Sequence, residues 1–252
     1  MSEYVKHGSR RQIAFEAAGL RDLRDHGATV ADLVWVRDTE LATRMIDHAP
    51  PTADTARGLG RMLARLHGTH SRVFGQAPPG FDLGVHGAGT MGGETLPLVT
   101  DGARPWGVFY AEDRILPYLQ SARDNGSIDQ QGATIITTLA ERLRDGDFDT
   151  DDPPSILHGD LWSGNVIWSP EGAILIDPAS HAGHRESDLA QLAVFGAPLL
   201  DDIMAGYEDA YPLGAGWQER VALHQLHILI VHASLFGGPY GTRTVSAAAA
   251  YL

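Results

Sequence analysis

The feature that most constrains this 252-residue chain is an ordered set of polar residues: His158-Gly159-Asp160, then Asn165, then Asp177. A short apolar strand is predicted before the set, and a hairpin over residues 166–176 should return the chain from Asn165 to Asp177. A single Asp would be an ordinary turn residue, but the ordered set on strand, loop and hairpin indicates one shared site. Carboxylate and amide oxygens suit a magnesium ion, and a metal-free carboxylate can accept a proton.

This order resembles the catalytic loop of protein kinases, in which an Asp accepts the proton of the substrate hydroxyl, an Asn holds magnesium and a later Asp bridges the metals. The resemblance implies that Asp160 is the catalytic base and that Asn165 and Asp177 are metal ligands. Gly159 at the position of the kinase Arg, and Pro178 after Asp177, are typical of the small-molecule branch of that fold.

Further segments narrow the resemblance to one family. Trp162 follows Asp160-Leu161, and the run Gly183–Glu186 differs from the usual aminoglycoside phosphotransferase sequence. With matches from about Glu16 to His232, the chain resembles the fructosamine kinase (ketosamine kinase) family, a relative of aminoglycoside phosphotransferases and choline kinases. The resemblance implies an α+β fold, protein-kinase-like with two lobes, and ATP- and Mg²⁺-dependent phosphorylation of a ketosamine hydroxyl.

The predicted division is a truncated N-terminal sheet lobe over residues 1–49 and a mostly helical lobe over residues 50–252, with Pro50-Pro51 as the hinge. In the first lobe, Ser9–Gln12 is a capping-box pattern that opens a helix ending near Gly27. Two strands are predicted over residues 33–36 and 41–46. A helix capped by Thr52 or Asp54 should open the second lobe. Residues 74–102 should form a long loop packed near the cleft, and apolar periodicity predicts helices over residues 106–123, 128–144, 188–195, 201–211 and 217–236.

The N-terminal residues resemble only the end of the family's nucleotide-binding sheet. Lys6 matches the lysine that grips the nucleotide phosphates, and Glu16 matches the helix glutamate that pairs with it. If that alignment holds, two strands and the glycine-rich phosphate cover are missing. A misassigned start, a shortened branch of the family and weakened nucleotide binding are all open explanations. The adenine is expected beside residues 44–47, with Met45 and Ile46 as its contacts.

The acceptor site is predicted from the resemblance. The segment from Trp106 resembles the family's aromatic and acidic helix, although aromatic residues at this helical spacing are more often part of the core. Arg185 and Glu186 follow Asp177 closely and are expected to face the cleft, whereas Asp188 is expected to cap a helix. The predicted substrate contacts are His158, Trp162, Trp106, Arg185 and Glu186.

Other functions remain open on the sequence. Aminoglycoside- or choline-kinase-like transfer would use the same residues. A metal-dependent hydrolase is conceivable because His158, Asp160, Asp177, His181 and His184 form a His/Asp-rich set, although it would leave Asn165 without a role. A binding-only pseudokinase would account for the absent glycine-rich loop but not for the intact catalytic set. His224, His227 and His232 lie on one predicted helix, where buried hydrogen-bonded histidines are favoured over a metal site.

The composition limits which classes of partner and site are expected. A formal charge of −13 disfavours binding to a nucleic-acid backbone. The absence of cysteine excludes disulfides and zinc–thiolate sites and fits a reducing cytoplasm. No leader-like or membrane-spanning apolar run is seen, so a cytoplasmic enzyme of unknown oligomeric state is expected.

Overall fold

The N-terminal part of the computed structural model, which describes residues 2–70 and 72–252, is a three-stranded antiparallel sheet with one helix. Its strands are β1 (Glu3–His7), β2 (Leu33–Arg37) and β3 (Glu40–Arg44), and they lie in the sheet in the order β1-β3-β2. Helix α1 (Arg10–Asp25) connects β1 to β2 along the chain. The predicted capping box is confirmed, because Ser9 accepts from the Gln12 amide while the Gln12 side chain accepts from the Ser9 amide. The predicted helix and both strands are therefore present.

The N-terminal helix shares a hydrophobic cluster with the helical part. Leu20 and Leu23 of α1 are buried with Leu59 and Leu63 of helix α2 (Ala53–His67). An isolated parallel bridge joins Val30 to Leu175 in the hairpin predicted over residues 166–176. Thr52 caps α2, as one of the two predicted caps. The division at residue 49/50 stays a prediction, and this cluster spans it.

The rest of the chain is mainly helical, with short two-stranded sheets between the helices. Strand β7 (Val166–Ser169) pairs with β8 (Gly172–Leu175) in the hairpin that leads to Asp177, and β6 (Ser155–Leu157) pairs with β9 (His181–Gly183). The elements in order are α3 (Leu83–His86), β4 (Gly89–Met91), β5 (Glu94–Leu96), α4 (Trp106–Phe109), α5 (Leu116–Asp124), α6 (Gln130–Arg144), β6 (Ser155–Leu157), β7 (Val166–Ser169), β8 (Gly172–Leu175), β9 (His181–Gly183), α7 (Arg185–Val194), α8 (Leu200–Ala210), α9 (Trp217–Phe236) and α10 (Pro239–Ala249).

The predicted helix over residues 106–123 is not continuous. A π-helical turn, Tyr110–Ile115, separates α4 from α5. Pro117 lies at the start of α5 and has no N–H to donate to the preceding turn, which accounts for the change of hydrogen-bond pattern there.

Residues 74–102 are more ordered than the long loop predicted for them. They contain α3 and the hairpin β4–β5, and the hairpin's turn reaches the cleft, where Thr90, Met91 and Gly92 line a cavity. The prediction that this segment packs near the cleft is confirmed. Among the described residues, no helix is both long enough and apolar enough to cross a bilayer.

Candidate active site

The structure brings the three residues of the predicted site into one cavity of about 320 Å³, lined by Asp160, Asn165, Asp177 and Lys6. Asp160 follows β6, Asn165 ends a short 3-10 turn, and the hairpin β7–β8 carries the chain to Asp177. The Asn165 amide nitrogen donates to the Asp160 carbonyl oxygen at 2.7 Å and to its carboxylate at 3.2 Å. Its amide oxygen is therefore left as a candidate cation ligand.

Two residues of the site adopt left-handed backbone conformations. Gly159 has φ 83°, and a Cβ there would lie 2.2 Å from the Ala179 carbonyl oxygen. Asp177 has φ 54°, which is uncommon for a residue other than glycine and is tolerated by Asp. The Gly of His-Gly-Asp is thus required by a close backbone approach, which positions Asp160 against the Asp177 turn.

Lys6 joins the sheet to the site. Its ammonium lies 2.7 Å from the Glu16 carboxylate and 2.9 Å from that of Asp177. Burial lowers the pKa of Lys6, but the two carboxylates outweigh it and leave the pKa raised, so the side chain is charged near neutral pH. The predicted Lys6–Glu16 pair is present, and it reaches the second predicted metal ligand.

Asp160 is held in a state suited to proton transfer. Burial is the largest cause that raises its pKa to about 7; the hydrogen bond from Asn165 opposes this, while the charge of Asp177 adds to it. A carboxylate with a pKa near the working pH can take up a proton and later release it. The geometry therefore suits Asp160 as a general base.

A second acid, Asp188, lies under the catalytic loop rather than in the cleft. Its carboxylate accepts from the backbone amides of His158 at 2.7 Å and Gly159 at 2.9 Å, and from His67 Nε2 at 3.2 Å. The prediction that Asp188 caps a helix is wrong, because α7 begins earlier and its N-cap is His184. Asp188 instead lies inside α7 and fixes the loop from within.

Gln191, one turn further along α7, supports the same loop. Its side-chain oxygen accepts from the Leu161 amide at 2.7 Å. The His158 ring also serves this framework, because its Nε2 contacts the Ile176 carbonyl at 2.9 Å and its Nδ1 accepts from the Asp160 amide. Sequence reasoning missed the roles of His67, Asp188 and Gln191, since their partners lie up to 121 residues away and no local pattern reports them.

The cavity on the other side of Lys6 has a volume of about 360 Å³ and is largely apolar. Met45 and Ile46, the predicted adenine contacts, both line it, as do Leu41 and Ile176. Lys6 and Asp177 line both cavities, so the two spaces meet at these charges.

Of the five predicted substrate contacts, one lines the catalytic cavity and four do not. Trp162 is half-buried in the wall of the catalytic cavity, and its ring lies over Gly164, where a Cβ would be 2.1 Å from the indole. Trp106, His158, Arg185 and Glu186 are buried and do not line that cavity. A direct contact with an acceptor beside Asp160 is therefore not supported for these four.

Those buried residues have other partners. Glu186 binds Arg220 through two hydrogen bonds of 2.6 and 2.9 Å, and Arg185 binds Asp152 at 2.9 Å. Trp106 packs against the His224 ring, with centroids 4.9 Å apart. The desolvation cost of Glu186 is outweighed by His224 and Arg220, and its pKa falls to about 2.

The histidines of the hydrolase alternative are already hydrogen-bonded. His181 contacts the Ala179 carbonyl through Nδ1 and Arg114 through Nε2, and His184 uses Nδ1 for the Glu186 amide and Nε2 for Thr150. Within residues 2–70 and 72–252, His184, Glu186 and His224 form the one group with metal-ligand spacing. Arg220 occupies its carboxylate, so a cation there would have to displace an arginine.

Burial rather than metal binding explains the helix histidines. His224 and His227 are fully buried and burial lowers the pKa of each, while His232 is half-buried and contacts the Ile228 carbonyl at 2.8 Å. The predicted hydrogen bonds are only partly present: His227 Nε2 has no hydrogen-bond partner among the described residues, whereas His224 Nε2 lies 3.3 Å from the Glu186 carboxylate.

Comparison with known proteins gives one consistent result. The family model for fructosamine kinase matches residues 9–252. Escherichia coli K12 probable ketoamine kinase YniA is 34% identical over 212 residues, which cover 82% of this chain and 69% of YniA. The crystal structure of a candidate fructosamine-3-kinase from Thermobifida fusca superposes with a TM-score of 0.88 at 38% identity and covers 98% of this chain and 84% of that one.

A more distant likeness concerns the fold alone. The ternary complex of streptomycin, ATP and the aminoglycoside phosphotransferase APH(2")-IIa has a TM-score of 0.62 at 15% identity, over 98% of this chain and 84% of that one. The predicted α+β, protein-kinase-like fold is thereby confirmed.

Proposed function

The chain belongs to the fructosamine kinase family, and on that premise we propose that it transfers the γ-phosphoryl group of ATP to a hydroxyl of a ketosamine, a sugar joined to an amine. The observation that carries the proposal is the shared cavity of Asp160, Asn165, Asp177 and Lys6. A base, two oxygen ligands and one fixed cation are the parts that phosphoryl transfer to an alcohol requires. The family relationship supports the choice of acceptor.

The nucleotide is assigned to the two connected cavities. Adenine fits the apolar space of about 360 Å³ beside Met45 and Ile46. The phosphates then run toward Lys6, whose ammonium is already oriented by Glu16 at 2.7 Å. A positioned charge of this kind stabilises the phosphate oxygens without a large ordering cost at the moment of reaction.

The donor set also fits a magnesium ion. The Asn165 amide oxygen and the half-exposed Asp177 carboxylate are hard oxygen ligands, and both line the space where the phosphates would lie. When bound, the ion supplies charge neutralisation on the phosphate oxygens. The Lys6–Asp177 contact would then be shared with the ion and the phosphates.

Asp160 performs the proton step. Its carboxylate accepts the proton of the acceptor hydroxyl, while the hydroxyl oxygen bonds to the γ-phosphorus and the bond from that phosphorus to the β,γ-bridging oxygen breaks. The products are ADP and a phosphorylated ketosamine. Burial and the Asp177 charge hold the Asp160 pKa near 7, which suits uptake of a proton as the oxygen loses it. Because ATP is the phosphoryl donor, we place the reaction in the cytoplasm.

Mass-spectrometric detection of the product tests the proposal. The protein is incubated with Mg-ATP and a panel of fructosamines, ribulosamines, free sugars, choline and an aminoglycoside, and each acceptor is examined for a mass increase of one phosphoryl group. Phosphorylation of a ketosamine that is strongly reduced in Asp160→Asn is the expected result. Transfer only to choline or the aminoglycoside would assign the chain's activity to a sister family, and product formation unaffected by Asp160→Asn would refute the assigned base.

A further inference from the structure

Beyond the catalytic cavity, five aromatic side chains form a continuous series that leads from the site to the protein surface: Trp162, Phe195, His232, Phe236 and Tyr240, here called the aromatic strip. We propose that the aromatic strip binds the substituent on the amine of the acceptor and that it favours aromatic or apolar substituents over basic ones. The inference rests on the proposed function, because it concerns the part of a ketosamine that does not react.

The rings of the aromatic strip contact one another in sequence. Trp162 meets Phe195 edge-on with centroids 6.0 Å apart, and Phe195 lies 5.0 Å from His232. His232 in turn lies 5.5 Å from Phe236 and 5.0 Å from Tyr240. Five contacting rings offer more aromatic surface than one sugar ring can cover, so the strip can hold a group attached to the sugar.

The inner end of the aromatic strip lies at the catalytic base, because Trp162 and Asp160 line the same cavity. The turn of hairpin β4–β5 forms the neighbouring wall. Gly92 in that turn lines the cavity, and a Cβ added to it would lie 3.0 Å from a methyl group of Leu235, next to Phe236. Ser234 and Glu94 are also hydrogen-bonded. The C-terminal end of α9 is thereby attached to the mouth of the catalytic cavity.

The outer end of the aromatic strip is open. Phe236 is 68% exposed, while Phe195, His232 and Tyr240 are partly exposed. A single exposed apolar side chain needs no explanation, but a series of contacting aromatic rings that continues into a catalytic cavity is typical of a ligand surface. Aromatic faces bind rings and apolar chains with little loss of conformational entropy.

The positive charge beside Phe195 favours a substituent without a basic group at that part of the aromatic strip. Burial lowers the pKa of His232, so its ring is neutral near pH 7. The Arg243 guanidinium lies 5.5 Å from the centre of the Phe195 ring and donates to the Val194 carbonyl, which holds a positive charge beside the strip. A second cation on the substituent would be repelled there, whereas an apolar side chain would not.

Steady-state kinetics with three fructosyl amino acids tests the inference. The wild-type protein is expected to phosphorylate fructosyl-phenylalanine with a kcat/KM about tenfold above that for fructosyl-glycine, mainly through KM, and fructosyl-lysine should not exceed the glycine adduct. In Phe236→Ser the kcat/KM for the phenylalanine adduct should fall about fivefold more than the kcat/KM for the glycine adduct. Phe236→Trp, which keeps an aromatic face, should retain the advantage.

Val85→Ser is the matched control, because Val85 is 73% exposed on α3 and lies outside both cavities. It should change none of the three values. Equal kcat/KM for the phenylalanine and glycine adducts, or a preference insensitive to Phe236→Ser, would overturn the role of the aromatic strip while leaving the proposed kinase activity intact. Absence of phosphorylation of all three adducts and of the other ketosamines would instead refute the proposed function.

Discussion

Each of the two faces of the catalytic loop carries an aspartate, and the pKa values of the two carboxylates are shifted in opposite directions. On the cleft face, the partly exposed Asp160 carboxylate accepts one side-chain hydrogen bond, and partial burial raises its pKa to about 7. On the inner face, Asp188 is fully buried, yet two backbone amides and His67 stabilise its charge and its pKa is lowered. Burial acts against the carboxylate in both places, and the number of donors decides the outcome.

The two carboxylates are therefore suited to different roles, proton transfer for Asp160 and support of the loop backbone for Asp188. A carboxylate with few donors is costly to keep charged but is able to take up a proton, as a base must. A carboxylate that is saturated with donors cannot serve as a base, but it fixes the backbone that carries one. The cleft face of the loop therefore carries the carboxylate suited to proton transfer, and the inner face carries the hydrogen bonds that hold the loop rigid.

The largest effect is expected for Asp160→Asn. Removal of the base should lower kcat for ketosamine phosphorylation by about 10²- to 10⁴-fold, while the fold should be as stable as the wild type or more so, because a poorly solvated charge is removed. Kinetics and urea unfolding at pH 7.5 measure the two quantities. Asp209→Asn, an exposed acid on α8, is the control and should change neither. A marked loss of stability in Asp160→Asn would remove the contrast between the two faces.

Asp188→Ala should show the reverse pattern. The substitution leaves the amides of His158 and Gly159 and the ring of His67 without their acceptor, at a cost of about 3 to 5 kcal/mol in the free energy of unfolding. Because Asp160 is still present, kcat should fall only to the extent that the loop moves from its native geometry. Urea unfolding gives the stability, and the kcat of the remaining folded protein gives the second value. An Asp188→Ala protein with wild-type stability would show that the inner face does not support the loop.

The pH dependence sharpens the contrast further. Because Asp160 must be deprotonated to act as a base and its pKa is about 7, kcat/KM should fall about tenfold per pH unit below that value and reach a plateau above it. Lys6→Met should move this limb to higher pH, since Lys6 is a positive charge that favours the ionised form. A limb below pH 5 that does not respond to Lys6→Met would assign the titration to another group.

Much of the cleft face could be predicted from the sequence because its signals are local. Asp160, Asn165 and Asp177 occur within eighteen residues on one strand–loop–hairpin unit, and the Ser9–Gln12 cap depends on a spacing of three. Their roles in catalysis and metal binding remain predictions, but their common cavity follows directly from this order.

The inner face could not be predicted because its contacts are long-range. His67 reaches Asp188 across 121 residues, and an Asp after Ser187 has the same local pattern whether it caps a helix or binds a distant loop. Arg185 and Glu186 were expected to face the cleft, and they do not line the catalytic cavity for a related reason. Arg185 and Glu186 are close to Asp177 in sequence, but β9 and the start of α7 carry them into the interior, where they pair with Asp152 and Arg220.

The smallest of these effects is expected for Gln191→Met, which keeps the side-chain volume but removes the acceptor for the Leu161 amide and a 3.3 Å donor to the Gly159 carbonyl. Because Gln191 is uncharged and Asp188 still holds His158 and Gly159, the free energy of unfolding should fall by only about 1 to 2 kcal/mol. The kcat should fall less than in Asp160→Asn, since the base remains and only the hydrogen-bonded support of the neighbouring backbone is lost. Gln225→Met is the control, because Gln225 is bonded to the Ala190 carbonyl and does not contact the loop. If Gln191→Met reduced kcat as strongly as Asp160→Asn without loss of stability, the inner face would take part in the reaction itself, and the separation of chemistry from support would be wrong.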